Sequence, residues 1–286
     1  MMEPELREHI DPLLPAPIKT AESVGGGDIG EAWRVEVGSG ERYFVKHYAD
    51  APDGLVQAEA QGLEWLAQAD TVATARVAAV CDSAPLLILD WIETRSPSAD
   101  FADALGAGLA RLHAFGAPGF GLSEDNFIGK LPQANAACER WSDFYAYRRI
   151  EPLVRRARDA GSLPPGLARE ASQMLSRFDT LCGPEEQPAR LHGDLWNGNV
   201  MTGRDGQAIL IDPSVYGGHR EMDLAMMRLF GGFSERTFDA YANERPLSEE
   251  AADRVLFYQF YPLLVHITLF GGGYVDQFAQ ALRVYR

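Results

Sequence analysis

Residues 190–227 read RLHGDLWNGNVMTGRDGQAILIDPSVYGGHREMDLAMM, and their spacing decides how the rest of the chain is read. Asp194 closes the triplet His192-Gly193-Asp194, Asn199 follows it by five residues, and Asp212 follows Asn199 by thirteen. Two β-like runs, 199–202 and 208–211, flank Gly203-Arg204-Asp205-Gly206, a hairpin signal. A hairpin there returns Asp212 to the neighbourhood of Asn199 and Asp194. One carboxylate, one amide and a second carboxylate then converge on a small volume. Phosphoryl transfer from a nucleotide needs this set: a carboxylate to orient or accept a hydroxyl proton, and hard oxygen ligands for Mg²⁺.

Upstream, residues 3–14 predict a short helix that stops at Pro15 and Pro17. Residues 18–24 read as a strand, Gly25-Gly26-Gly27-Asp28-Ile29-Gly30 as a turn, and 32–37 as a second strand. Gly25, Gly27 and Gly30 satisfy G-x-G-x-x-G, a weak signal alone. Because a strand follows, not a helix, the glycines fit a loop over nucleotide phosphates better than a Rossmann turn. In isolation a glycine-rich hairpin with no ligand reads the same way.

Lys46 lies in the middle of a further strand, 42–48. The helix predicted over 55–68 places Leu55, Leu63 and Leu66 on one face, with Glu59 among them. A carboxylate on an apolar stripe is costly unless paired, and Lys46 is the natural partner. That pair is the arrangement that holds a Lys against the α/β-phosphates. Residues 76–81 and 86–92 form an antiparallel pair ending in a polar-aromatic segment suited to a linker between lobes. Adenine would meet mainly backbone groups there, with Asp90 and Ile92 as candidates; an ordinary strand end is the alternative. The expected division is an N-lobe over 1–93 and a C-lobe over 94–286.

From residue 100 the pattern turns helical. A helix over 100–115 carries apolar residues at 101, 105, 109 and 112, and His113 reads as structural. Residues 116–135 form a loop long enough to suggest function. An amphipathic helix spans 140–160, with Arg155, Arg156 and Arg158 on a solvated face. Further helices are expected over 166–181, 221–230, 234–243 and 249–270, and a final one follows Gly271-Gly272-Gly273.

The 286 residues suit one large domain or two lobes, and the composition is that of an ordinary soluble globular protein. The net charge of −15 argues against a nucleic-acid-binding surface. It leaves ATP binding open, because phosphates are held by local loops, a Lys and Mg²⁺. Cys81, Cys138 and Cys182 are an odd number without metal spacing, which points to a reducing, cytoplasmic compartment. No secretory signal opens the chain, and the apolar run 256–270 is too short and interrupted to span a bilayer. Nothing in the sequence specifies an oligomeric state.

The stretch from His192 to Asn199 fits the kinase catalytic loop H-R-D-L-x-x-x-N with Gly193 in place of Arg. The order of a β-rich part with Gly loop, Lys and Glu, then a helical part with the catalytic loop, resembles the protein-kinase plan. This implies an α+β, two-lobed protein-kinase-like fold with an antiparallel-sheet N-lobe and a mainly helical C-lobe. Asp212-Pro213-Ser214 stands where Asp-Phe-Gly is usual and no Ala-Pro-Glu segment follows, as in small-molecule kinases of the aminoglycoside and choline type.

LHGDLWNGNV, IDPSVYGGHREMDLAMM, GGGDIGEAWRV, FVKHY, AEAQGLEWL, DNFIGKLPQAN, WSDFYAYRRI and HITLFGGGY more closely resemble the fructosamine kinase (ketosamine-3-kinase) family. The resemblance spans nearly the whole chain. It implies an enzyme using ATP and Mg²⁺ to phosphorylate the sugar 3-hydroxyl of ketosamines. By it Asp194 is the base, Asn199 and Asp212 bind Mg²⁺, Lys46 holds phosphates, and Trp196 walls the acceptor pocket. Trp196 as a core aromatic is the alternative for that residue. His266 approaches the acceptor or is a satisfied buried histidine, and Asp223 caps a helix or braces the catalytic loop. Gly30 and Lys130 depart from the residue types usual at those positions in the family, and the Gly-rich loop holds no Cys. Other acceptors of the same chemistry are an aminoglycoside, choline or a thio-sugar. A nucleotide-binding pseudokinase is disfavoured because Lys46, Asp194, Asn199 and Asp212 are all present.

Overall fold

The structure, a computed structural model, describes residues 2–25 and 30–286. Gly26 and Gly27 of the expected phosphate loop lie outside the described residues. Helix α1 (Pro4–Ile10) leads into β1 (Ile18–Ser23), β2 (Glu31–Val37) and β3 (Arg42–His47). Then come α2 (Leu55–Ala67), β4 (Ala73–Thr74), β5 (Val77–Cys81) and β6 (Leu86–Asp90). Five of these strands form an antiparallel sheet in the order β1-β2-β3-β6-β5. Strand alternation sorts its two faces. Trp33, Val35, Val45 and Ile88 pack with Leu6 and Ile10 of α1. Tyr48, Leu87 and Leu89 pack on the other side with Leu55, Val56, Ala60 and Leu63 of α2. Lys46, next to Val45, therefore faces α2.

The second lobe begins with α3 (Phe101–Phe115) and a hairpin, β7 (Asn126–Ile128) and β8 (Leu131–Gln133), inside the long connection expected over 116–135. The helix expected over 140–160 is α4 (Trp141–Phe144), a π-helical turn (Tyr145–Ile150) and α5 (Glu151–Asp159) in unbroken succession. Next come α6 (Pro165–Met174), α7 (Phe178–Leu181), β9 (Ala189–Leu191), β10 (Val200–Thr202), β11 (Ala208–Leu210) and β12 (Tyr216–Gly218). The chain ends with α8 (Glu221–Phe230), α9 (Glu235–Glu244), α10 (Val255–Tyr258), α11 (Phe260–Phe270) and α12 (Tyr274–Val284). The core of this lobe centres on Trp141, Phe144, Tyr145, Phe257 and Tyr258.

β10 and β11 form the expected hairpin, with Met201 opposite Ile209. β4 adds to β11 in parallel, so a two-residue strand from the N-terminal third completes a sheet of the helical lobe. We propose the lobe division at 93/94; it falls in the connection between β6 and α3.

Helices α3 and α9 approach closely because Gly106 has no side chain. A Cβ there would stand 2.1 Å from the Thr237 carbonyl oxygen and 2.9 Å from the Ala240 Cβ. Propensity alone would make Gly106→Ala stabilising by about 1 kcal/mol. The contact reverses the sign: the expected outcome is a net loss of about 2 kcal/mol, read from the midpoint of urea unfolding. Unchanged or increased stability would contradict this packing.

Candidate active site

The cleft between the lobes is organised on Lys46. Its Nζ lies 2.8 Å from Glu59 Oε1 on α2 and also contacts Asp212 Oδ1 beyond β11. The Tyr48 hydroxyl donates to the other Glu59 oxygen at 2.8 Å. Burial works against the Lys46 charge, but Glu59 and Asp212 outweigh it and hold its pKa well above the usual lysine value. One cation shared by two carboxylates does not compensate both, so burial leaves the Glu59 carboxyl above its ordinary range.

Asp212 adopts φ +53°, and among the described residues only Asp70 shares a positive φ without being glycine. This left-handed conformation ahead of Pro213 costs on the order of 1–3 kcal/mol and needs outside support. The catalytic-loop segment supplies it on both sides. Ile211 N–H donates to Asn199 O (3.0 Å) and Ser214 N–H to His192 O (2.9 Å). Gly193, which stands where kinases carry Arg, has φ +83°, and a Cβ on it would lie 2.0 Å from Ser214 O. No side chain fits there.

The loop is also fixed from beneath. Asp223, buried in the first turn of α8, accepts the N–H groups of His192 (2.8 Å) and Gly193 (2.9 Å). His113 Nε2 lies 3.2 Å from the same carboxylate and its Nδ1 2.8 Å from the Tyr241 hydroxyl. Burial pushes the Asp223 pKa up, but these hydrogen bonds and the neighbouring histidines overcome it and hold the group ionised below its usual range. Asp223 thus braces the loop and His113 is structural. His192 is kept neutral by burial; its Nε2 meets Ile211 O at 2.9 Å, leaving Nδ1 to accept the Asp194 N–H at 3.3 Å.

Asp194 sits at the floor of the cleft, walled by protein and partly open to a cavity. Its pKa is pushed up to about 7, first by burial and further by the charges of Asp212 and Asp223, while the hydrogen bond from Asn199 opposes the rise. Asn199 Nδ2 points at Asp194 O (2.8 Å), Asp194 Oδ2 (3.0 Å) and Asp212 O (3.4 Å). Its donors are thereby spent, and its Oδ1 is the group left to meet a cation. Among the described residues no cluster of three or more His, Cys, Asp or Glu makes an all-protein metal cage. One carboxylate and one amide oxygen nevertheless suit Mg²⁺, which takes few protein ligands and completes its shell with water and substrate phosphates.

The cavity measures about 320 Å³ and unites Glu59, Asp194, Asn199 and Asp212 with Trp196, His266 and Phe270. Trp196 is 40% exposed, which removes the reading as a core aromatic. His266, on α11, is half-buried, with Nδ1 2.7 Å from Pro262 O. Of the remaining expected residues, Gly25 directly precedes the residues that are not described, Asp90 is the last residue of β6 and Ile92 follows it, and neither of the latter two lines the cavity. The Asp90 carboxylate pairs with Arg76 at 2.6 Å. Half-buried Ile92 packs against the α2 side of the sheet.

A buried amide network beside the cavity was not foreseen. Asn126 Nδ2 donates to Val215 O (2.8 Å), and its Oδ1 accepts from Gln133 (2.7 Å) and Asn135 (2.8 Å). Asn135 Oδ1 accepts from Arg149 (2.7 Å), a fully buried guanidinium 4.0 Å from the Tyr216 ring centroid. Arg149 comes from the π-helical turn. The network ties the β7–β8 hairpin to the Asp212–Val215 segment.

Fold and site together define a phosphotransferase of the protein-kinase-like class. A sequence profile described as Fructosamine kinase matches residues 2–285, and the chain belongs to the fructosamine kinase family. A Thermus thermophilus protein named as a probable ketoamine kinase is 38% identical over 257 residues, covering 90% of each chain. The solved structure of a Thermobifida fusca protein, provisionally designated a fructosamine-3-kinase, superposes with a TM-score of 0.90 at 40% identity. That match covers 98% of this chain and 97% of the other. A choline kinase from Streptococcus pneumoniae, 16% identical with a TM-score of 0.66 over 98% and 97% of the two chains, shares the fold.

The Asp194 environment has a consequence for stability. Between the unfolded carboxyl pKa of about 3.9 and about 7, the folded chain keeps a proton that the unfolded chain releases. Stability therefore falls as pH rises through that window and stays lowered above it. Asp194→Asn should be more stable than the unsubstituted protein by about 2–4 kcal/mol at pH 8 and equal to it near pH 4, measured by urea unfolding. Lower stability of Asp194→Asn at pH 8 would contradict the assigned environment.

Proposed function

We propose that the protein transfers the γ-phosphoryl group of ATP to the 3-hydroxyl of the sugar of a ketosamine. The observation that carries this reading is the meeting in one cavity of Asp194, the Asn199–Asp212 oxygen pair and a solvent-facing Trp196, beside the Lys46–Glu59 pair. Membership of the fructosamine kinase family supports the acceptor class.

In this reading Lys46 and the Gly25–Gly27 loop hold the phosphates, and adenine lies toward Asp90 and Ile92. Asp212 and Asn199 Oδ1 would hold Mg²⁺, which when bound neutralises charge on the phosphate oxygens. Trp196 offers a flat apolar face to the C–H edge of the sugar, and His266 flanks it. Asp194 accepts the hydroxyl proton as the sugar oxygen bonds to the γ-phosphorus and the bond to the bridging oxygen breaks, leaving ADP. Little covalent work falls to the protein, so positioning and electrostatics supply the rate. A reducing, cytoplasmic setting goes with the three cysteines, all of them free thiols. Among the described residues no helix is long and apolar enough to cross a membrane.

ATP turnover against free fructosamines, glycated lysine peptides, choline and aminoglycosides tests the acceptor; the expected result is turnover with ketosamines alone. Turnover of choline or an aminoglycoside with none for ketosamines would overturn the reading. Lys46→Met should lower kcat/KM for ATP by at least about 100-fold in a folded protein. Activity equal to the unsubstituted enzyme would remove Lys46 from the phosphate site. With Asp194 as base, Asp194→Asn should lower kcat by at least about 100-fold in a folded protein that still binds ATP. Activity equal to the unsubstituted enzyme would exclude that role.

A further inference from the structure

Two helices end at the mouth of the cavity, and each ends on an exposed aromatic ring. Phe230 is the last residue of α8 and Phe270 the last of α11; they are 38% and 55% exposed. Gly231 and Gly271, both with positive φ, turn the chain away immediately after them, and a Cβ on either would meet nothing within 4 Å. The two rings therefore stand on turns with open surroundings.

They stand there together with Trp196. The Trp196 and Phe230 rings meet edge to face at 6.1 Å, Phe230 lies 4.9 Å from the His266 ring, and His266 lies 5.6 Å from Phe270. Trp196, His266 and Phe270 also line the cavity that holds Asp194. Seven large hydrophobic side chains are exposed among the described residues; two of them, Phe230 and Phe270, pack on this one imidazole, and a third, Trp196, packs on Phe230. Scattered exposed apolar residues need no explanation, but a contiguous patch at a cavity mouth marks a binding surface.

We propose that this aromatic rim is the subsite for the amine substituent of the acceptor, and that it selects ketosamines of apolar and aromatic amines. The inference rests on the ketosamine reading above. A ketosamine bears its nitrogen two carbons from the hydroxyl offered to Asp194, so the substituent leaves the sugar within a few ångströms of the reacting centre. The cavity, at about 320 Å³, must also take the transferred phosphate, so the substituent emerges at the mouth. What it meets there is ring surface. An apolar group loses water against these faces, and the protonated secondary amine at its base lies where a cation is attracted by an aromatic ring.

The test uses fructose adducts of methylamine, isobutylamine and benzylamine, which share the sugar and the amine charge and differ only in apolar size. In the unsubstituted enzyme, kcat/KM should rise across the series, about tenfold from methyl to benzyl and mainly through KM. In Phe270→Ala that ratio should collapse to about 2 or below, with Phe270→Leu intermediate. A folding defect would instead reduce all three adducts by one common factor. A ratio near 1 in the unsubstituted enzyme, or a common factor in Phe270→Ala, would overturn the subsite while leaving the ketosamine assignment intact. Failure to turn over any of the three adducts would contradict that assignment itself, and the subsite with it.

Discussion

A single ammonium group lies between a carboxylate of the sheet-bearing lobe and a carboxylate of the helical lobe. Lys46 Nζ joins Glu59 on α2 to Asp212 beyond β11, and the cleft closes around it. Removing Lys46 would leave both carboxylates without a cation, a costly defect where charge is buried. The arrangement is nevertheless short of positive charge. Glu59 and Asp212 face one lysine, Asp194 lines the same cavity, and the phosphates of a nucleotide would add further negative charge. A divalent cation held by Asp212 and Asn199, as proposed, would relieve that imbalance without altering the fold.

The rest of the site is held in conformations it would not adopt alone. Asp212 is left-handed, Gly193 has no room for a side chain, and Asp194 is raised to about 7. Each is supported from outside the loop: the clamps at Ile211 and Ser214, the buried Asp223–His113–Tyr241 chain, and the amides running from Val215 back to Arg149. The cost of the strained segment is spread over a rigid shell, as expected where geometry must be set before substrate arrives. Around Trp196 and Phe270 the order reverses. Rings stand exposed at helix ends, suited to a partner whose shape varies.

Much of this was legible in the sequence because it is written locally. The Gly203–Gly206 turn between two β-like runs sets the β10–β11 hairpin, and with it the approach of Asp212 to Asn199. Glu59 on an apolar helix face demanded a cation, and strand alternation next to Val45 turned Lys46 towards it. What was missed depends on distant pairing. β4 is two residues long and gains its partner only from β11, over a hundred residues away. The contact of Lys46 with Asp212 spans 166 positions. Arg149 reads as one more basic residue on an amphipathic helix, and only the π-helical turn buries it beneath Tyr216. Trp196 was ambiguous for the opposite reason, since a Trp beside a catalytic loop suits a core as well as a pocket. Its exposure decides.

The central claim is that phosphate arriving over Lys46 is delivered to a sugar hydroxyl at Asp194. The most direct measurement is a ³¹P–¹H correlation NMR spectrum of the product formed from ATP and fructosyl-lysine. The account predicts a phosphorus coupled to the proton on carbon 3 of the sugar, with one ADP formed per phosphorylated acceptor. Phosphate coupled to the carbon 6 protons, or free inorganic phosphate with the acceptor unchanged, would contradict it.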